Sequence, residues 1–346
     1  MTPAARKETI LAAIVESFIQ SGEPVGSKAL LGGTGLQVSS ATVRNDMAEL
    51  TAQGYLAQPH TSAGRVPTAL GYRYYVDNVM RVTPLAQVAA AYIRDSLGKL
   101  ADSPEMILQG AADLTEQLTG SVALATTPAA DNCRVRRLSF VQTGRHTAMA
   151  VLICSNGVIR TRLFRCAFVI TPEIITMFDK SLNELFAGVE VGVIGQPFIQ
   201  SAAVRFGELS LFMPPALIAI MEAAQQAAKV SVKHSKLSRL IFNYGASASA
   251  SVSREFIDFL QNERDVAAML SRRPQHTAVT IGTENRRVEL SKSAVFSTRY
   301  SIDGTPSGVL AIITAQRTDY ARNIAIIECV AQCAGELMEE LIETTD

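Results

Sequence analysis

The sequence predicts an α+β protein of roughly two or three domains. Three observations carry that expectation. At 346 residues the chain exceeds the length of one ordinary domain. Its hydrophobic period changes along the way, from helical spacing to strand-like runs, back to helical spacing, and then to strands again. Its composition, 48% hydrophobic and 18% charged, suits well-formed cores rather than disorder.

The N-terminal segment has the clearest pattern. "ETILAAIVESFIQSG" places Ile10, Leu11, Ile14, Val15 and Phe18 at helical spacing, and Gly22 fits the stop. "EPVGSKALL" allows a short second helix. A third begins near Ser39 or Ser40, whose hydroxyls suit an N-cap, and ends near Gly54. "YLAQPH" and "GRVPT" flank "TSAG", a hairpin with Gly64 at the turn. Three helices followed by a hairpin is the winged-helix arrangement, expected over residues 1–82. In "LGYRYYVDNVM", Tyr72, Tyr75, Val76 and Val79 form one apolar stripe, which argues for packing rather than base stacking.

Further on, residues 83–127 read as Ala-rich helices punctuated by Pro84, Pro104 and Pro128. "RRLSFVQTGRHTAMAVLICSNGVIRTRLFRCAFVI" reads as three strands, and "PEIITMFDKSLNELFAG" as a helix with Pro172 in its first turn. Residues 189–274 look mostly helical, with one or two helices over "GELSLF" and "PPALIAIMEAAQQAAKV", another in "SREFIDFLQNERDVAAMLSRR", and a low-complexity loop at "GASASASVS". Strands return at "TAVTIG", "RRVELS", "AVFSTRYS" and "VLAIITA", before a last helix, "YARNIAIIECVAQCAGELMEELIE". The strands before and after the helical stretch are compatible with one sheet carrying an insertion.

Composition excludes several function classes. Formal net charge is zero, from 32 basic and 32 acidic residues, so total charge gives no support for nucleic-acid binding. No run reaches the ~18 apolar residues of a membrane span, and "LFMPPALIAIMEAA" is broken by Pro214, Pro215 and Glu222. The start of the chain lacks a signal-like apolar region. Five scattered cysteines suit a reducing cytoplasm, with Cys329 and Cys333 expected as small buried hydrophobes. His146, His234 and His276 lie far apart without metal-ligand spacing, and neither a phosphate-cradling glycine loop nor a nucleophile elbow is present. The expectation is therefore no enzyme, no cofactor and no metal.

The third helix carries the functional signal. Val43, Met47 and Leu50 make its buried face, while Ala41, Arg44, Asn45 and Ala48 share the other side. Small residues let a helix backbone approach a major groove, Arg can donate two bonds to guanine, and Asn can pair with adenine. Ser39, Ser40 and Thr42, with the helix N-terminus, are placed to hold phosphates. His60, Thr61, Ser62 and Arg65 give the hairpin a polar, donor-rich tip suited to phosphates or a minor groove. On the helix alone, a plain surface helix with Ala for propensity and Arg44 paired to a carboxylate remains an equal alternative. Residues 1–81 hold seven Lys or Arg and six Asp or Glu. So little surplus charge predicts weak binding by one copy, and therefore a homodimer on a two-fold symmetric site in double-stranded DNA.

"ESFIQSGEPVGSKAL", "SSATVRNDMAEL", "GYLAQPHTSAGRVPTALGYRYYVD", "SREFIDFL", "TIGTEN" and "RTDYARNIAIIE" closely resemble the heat-inducible transcription repressor family HrcA. The resemblance runs over nearly the whole chain. Just before "RTDYAR" this chain has "IITAQ" where the family carries Gly-Pro, a departure at the local turn. The resemblance implies a winged-helix domain followed by a GAF-like antiparallel-sheet domain interrupted by a mostly helical dimerisation insert. The expected division is 83–188 for linker helices and the first half of the GAF-like domain, 189–274 for the insert, and 275–346 for the second half. It also implies repression of chaperone operons through an inverted-repeat CIRCE operator, with activity maintained by the GroEL chaperonin. A regulator controlled by a small molecule in the GAF-like domain is the alternative.

Overall fold

In the computed structural model, which describes residues 2–34, 38–60, 63–128, 133–206, 212–235 and 254–343, the chain opens with three helices. These are α1 (Pro3–Ser21), α2 (Ser27–Thr34) and α3 (Ser40–Ala52). A minimal hairpin follows, β1 (Leu56–Ala57) against β2 (Val66–Pro67), paired antiparallel. The short helix α4 (Ala69–Tyr74) runs on into a π-helical turn, Tyr75–Val79. Ile10, Leu11, Ile14, Val43, Met47, Leu50 and Leu56 bury the apolar faces of these elements together. We call residues 2–80 the head.

Two helices, α5 (Gln87–Gly98) and α6 (Pro104–Thr119), lead into β3 (Val122–Thr126). The last part of the stretch expected to be helical is thus a strand. All five of its residues are buried, Val122 and Leu124 on one face of the sheet and Ala123 and Ala125 on the other. Burial on both faces removes the alternation that marks a strand in sequence.

The chain then builds a separate unit. Strands β4 (Val135–Gln142), β5 (Thr147–Cys154) and β6 (Ile159–Arg165) form a three-stranded antiparallel sheet. Helices α7 (Pro172–Phe186) and α9 (Pro214–Ala227) cover one face of it, and α8 (Gln196–Arg205) packs on α9. Its core, from Cys133 to Ala227, is its own. Next, β7 (Val232–His234) pairs with β3, and among the described residues two helices follow, α10 (Arg254–Gln261) and α11 (Glu263–Ser271), and then β8 (Ala278–Ile281), β9 (Ser293–Ile302) and β10 (Thr305–Ala315). A long helix, α12 (Tyr320–Glu343), closes the described chain. The central sheet has the order β7-β3-β10-β9-β8, antiparallel throughout. Together with α10 and α11, Leu290 covers one face, and α6 and α12 cover the other.

These positions revise several sequence expectations. The inserted unit spans residues 133–228 instead of 189–274, and it contains strands as well as helices. The three strands at 135–165 form a sheet of their own and do not join the central one. "SREFIDFLQNERDVAAMLSRR" is two helices, divided where the Asn262 side chain caps α11. "RRVELS" is not a strand but a 3-10 turn at Val288–Leu290, because Asn285 Nδ2 gathers the carbonyls of Gly282, Leu290 and Ser293 and curls the backbone around itself. The expected helix at "GELSLF" falls largely, and the loop "GASASASVS" entirely, outside the described residues. At the departure from the family pattern, Gln316 closes the turn, donating to Ser291 O at 3.0 Å and accepting from the Tyr320 hydroxyl at 2.6 Å.

Two predictions follow from packing. In α12, Gly335 lies against β9, and a Cβ there would overlap the Ser301 carbonyl oxygen. Gly335→Ala is expected to cost about 1–3 kcal/mol through overpacking, read from urea unfolding midpoints. Tyr75, buried beneath α1, has its phenol pushed up to about 12 by burial first and then by the Glu16 carboxylate it donates to. An unfolded tyrosine ionises near pH ~10. The folded state therefore holds this proton more tightly, and the associated stability is present below pH ~10 and lost as pH rises towards about 12. Unfolding midpoints should fall across that window, and Tyr75→Phe should flatten the fall.

Candidate nucleic-acid interface

Ser39 starts α3 as its N-cap. Its Oγ accepts the Thr42 N–H at 3.1 Å and lies 3.0 Å from the Thr42 hydroxyl. Ser40 Oγ sits 3.2 Å from Ser27 Oγ, which ties the start of α3 to α2. From this start the helical repeat turns Val43, Met47 and Leu50 inward, as the sequence predicts, and brings Asp46 in with them. Ala41, Arg44, Asn45 and Ala48 are all exposed. Among the described residues neither Arg44 nor Asn45 has a side-chain partner. The alternative in which Arg44 is paired to a carboxylate therefore loses its support.

Asp46 was not singled out in the sequence. It is only 4% exposed, and its carboxylate takes two bonds from Arg6 on α1, from Nε at 2.6 Å and from Nη2 at 3.2 Å. One turn later Glu49 pairs with Lys7. A buried carboxylate is tolerated when it is paired in this forked geometry, and the fork fixes the angle between the two helices. Spacing along α3 places Asp46 beside Met47 and Val43, but no sequence signal links it to a residue forty positions upstream.

The hairpin brings the second group of predicted residues close to the first. Arg65 exchanges both backbone bonds with Val25 at 2.9 Å, adding a third chain segment beside β2. Gly64 permits this approach, since a Cβ there would overlap the Val25 carbonyl. The Arg65 guanidinium donates from Nε to Thr51 Oγ1 at 3.0 Å, and so bolts the hairpin to the last turn of α3. Arg44 and Arg65 share one open cleft of about 400 Å³, whose lining also includes Ser27, Met47, Gln58 and Gly64. Arg65 lies at the base of the hairpin rather than at its tip. His60 is exposed at the tip, where its carbonyl accepts the Ala63 N–H at 2.9 Å. Thr61 and Ser62 lie outside the described residues. Of the tyrosines, Tyr72 packs on Tyr320 with ring centroids 5.6 Å apart and Tyr75 is buried, so the stripe serves packing, and Tyr74, off the stripe, meets Tyr55 edge-on at 5.4 Å.

Elsewhere in the chain, no group of three or more potential metal ligands occurs among the described residues, and no described helix is long and apolar enough to cross a membrane.

Comparison with known proteins places the chain in a family. A family model described as the HrcA protein C terminal domain matches residues 105–324. A heat-inducible transcription repressor HrcA from Laribacter hongkongensis (strain HLHK9) is 30% identical over 343 residues, covering 99% of this chain and 97% of its own length. Another from Acetivibrio thermocellus is 27% identical over 340 residues, covering 97% of both chains. A crystal structure of a hypothetical protein superposes with a TM-score of 0.64 at 25% identity, covering 97% of this chain and 98% of its own. The class is thus a transcription repressor and not an enzyme. The chain belongs to the HrcA family of heat-inducible transcription repressors.

Asp46→Ala would leave the Arg6 guanidinium without its carboxylate against α3. The thermal midpoint is expected to drop by several degrees, and Asp46→Leu combined with Arg6→Met to recover part of the loss, as scanning calorimetry would show. Equal midpoints for Asp46→Ala and the unaltered protein would mean that the clamp contributes nothing.

Proposed function

We propose that the head is a winged-helix DNA-binding domain, that the central sheet belongs to a GAF-like domain, and that two copies of the chain bind an inverted-repeat operator of CIRCE type to repress heat-shock chaperone operons. The observation that carries this reading is the face of α3 formed by Ala41, Arg44, Asn45 and Ala48, exposed and, among the described residues, without side-chain partners, while the opposite face is clamped to α1. With thirteen residues, α3 is about 20 Å long, enough to lie in a major groove. Arg44 and Asn45 read bases there. Ser39, Ser40 and Thr42 stand at the helix start beside the phosphates, and Ala41 and Ala48 keep the approach close. Arg65 and His60 meet the flanking backbone or minor groove, with Thr61 and Ser62 beside them in sequence.

The charge balance supports two copies. Arg6 and Lys7 are committed to Asp46 and Glu49, so few free cations remain for phosphates. The inserted unit offers a surface on which the copies could meet. Opposite α7 and α9, its sheet presents Val141, Met149, Val151, Ile153, Ile159 and Leu163 side by side, with Ile159 52% and Leu163 68% exposed. An apolar sheet face of this kind is costly to leave in water. GroEL, the partner that the family reading brings, would then act on a cytoplasmic dimer to maintain its active form.

Selection of duplexes from a random pool, with and without GroEL, tests the reading; failure to enrich a two-fold symmetric repeat under either condition would end it. Arg44→Ala is expected to cost about 1–3 kcal/mol of operator binding and to relax preference at one base pair per half-site, measured by mobility-shift titration. Leu163→Arg is expected to shift the protein from dimer to monomer in sedimentation and to weaken operator binding, while leaving the head folded.

A further inference from the structure

Three segments that stand out in the sequence, "GYRYYVD", "TIGTEN" and "RTDYARN", have no part in reading DNA, yet the fold brings them to one place. Arg73 on α4 donates from Nε and Nη2 to the two oxygens of Glu284, at 3.0 and 2.8 Å. The same Nη2 reaches Val279 O on β8 at 2.5 Å, and Nη1 holds Asp77 at 2.9 Å. Glu284 Oε2 also accepts the Ile281 N–H at 2.8 Å, so the carboxylate is itself fixed to the sheet. Nearby, Arg317 Nη1 donates to Ile19 O at the end of α1, at 3.0 Å. Tyr72 packs at a tilt on Tyr320, and Tyr320 on Phe296. One apolar core runs beneath, from Ile10 in the head to Met338 in α12.

Apolar contact holds the head to the sheet but does not choose an angle, because burial is non-directional. A two-toothed guanidinium–carboxylate contact does choose one. Recognition helices of a dimer must meet two grooves at a set separation, and each base pair added between half-sites moves the second groove by about 3.4 Å and turns it by roughly 34°. A head held at one angle cannot follow that change, whereas a head free to rotate can. We infer that Arg73 and Glu284 are positioning residues that set which half-site spacing the repressor accepts. This inference rests on the reading of the protein as a dimeric operator-binding repressor.

The test titrates the full-length protein against synthetic duplexes carrying two copies of the half-site selected by the unaltered protein, at the selected spacing and one base pair longer or shorter. The unaltered protein is expected to lose about tenfold in affinity for each shifted duplex, within the range of a mismatched site. Arg73→Ala and Arg73→Lys should lose less than about threefold, since neither side chain can bridge both oxygens of Glu284, while affinity for a duplex with a single half-site stays the same. Glu284→Gln, which alters the partner instead, gives the second route to the same comparison should Arg73→Ala fold poorly. Spacing dependence as steep in these variants as in the unaltered protein would overturn the inference and leave the repressor reading intact. An unaltered protein that binds symmetric duplexes equally at every spacing would do the same. No binding to any symmetric duplex would overturn both.

Discussion

The DNA-facing reading of this chain depends on how α3 is held from behind. A helix whose outer face is alanine, arginine and asparagine has few apolar groups with which to secure itself. Its buried side supplies only Val43, Met47 and Leu50 over thirteen residues. Asp46 adds what those three cannot, a directional contact. Its two oxygens accept from one guanidinium on α1, and the Glu49–Lys7 pair repeats the connection one turn on. The exposed second pair contributes little energy, and the buried fork accounts for most of the effect. Arg65 completes the frame from the other end through Thr51. Arg44 and Asn45 can then project, without partners among the described residues, because the helix does not need them for stability.

How much of this was legible in the sequence follows from the kind of force involved. The faces of α3 were readable because a half-buried helix must repeat its apolar residues every three or four positions. The N-cap at Ser39 was readable for a similar local reason, since the hydroxyl bonds a residue three positions away. Asp46 was not, because its partner lies forty residues upstream and only the tertiary fold joins them. Strand β3 was hidden by being buried on both faces, and "RRVELS" imitated a strand while Asn285 curled it into a turn that leaves Val288 87% exposed. The bounds of the inserted unit are illegible for a third reason. Its strands alternate clearly, but alternation does not say which sheet a strand joins.

Sheet membership also explains how the chain accommodates so large an insertion. Strands β3 and β7 pair directly, with Thr126 opposite Val232, and the bonds continue one step beyond, Thr127 N–H to Ser231 O at 2.9 Å and Ser231 N–H to Thr127 Oγ1 at 2.9 Å. The chain thus leaves the central sheet and returns to it at the same point. Closing a longer excursion costs only slowly more entropy once its ends are fastened together. The excursion folds around a core that shares no residue with the other two, so its exposed sheet face can vary without disturbing the head.

The head, by contrast, has no such independence, and charge suggests why that matters. Two of the seven basic residues between positions 1 and 81 are spent inside the head on Asp46 and Glu49, and a third, Arg73, holds the sheet. Non-specific affinity comes mostly from phosphate neutralisation, so a head with few free cations gains little from arbitrary DNA. On the reading proposed above, its discrimination comes from a few base contacts of α3 and from presenting two such helices in one fixed relation. A flexible tether would spread those contacts over many spacings and lose the second source of selectivity. On that reading the shared core holds the head to the sheet and the guanidinium fork at Glu284 sets its angle, which makes the scarcity of positive charge compatible with selective recognition.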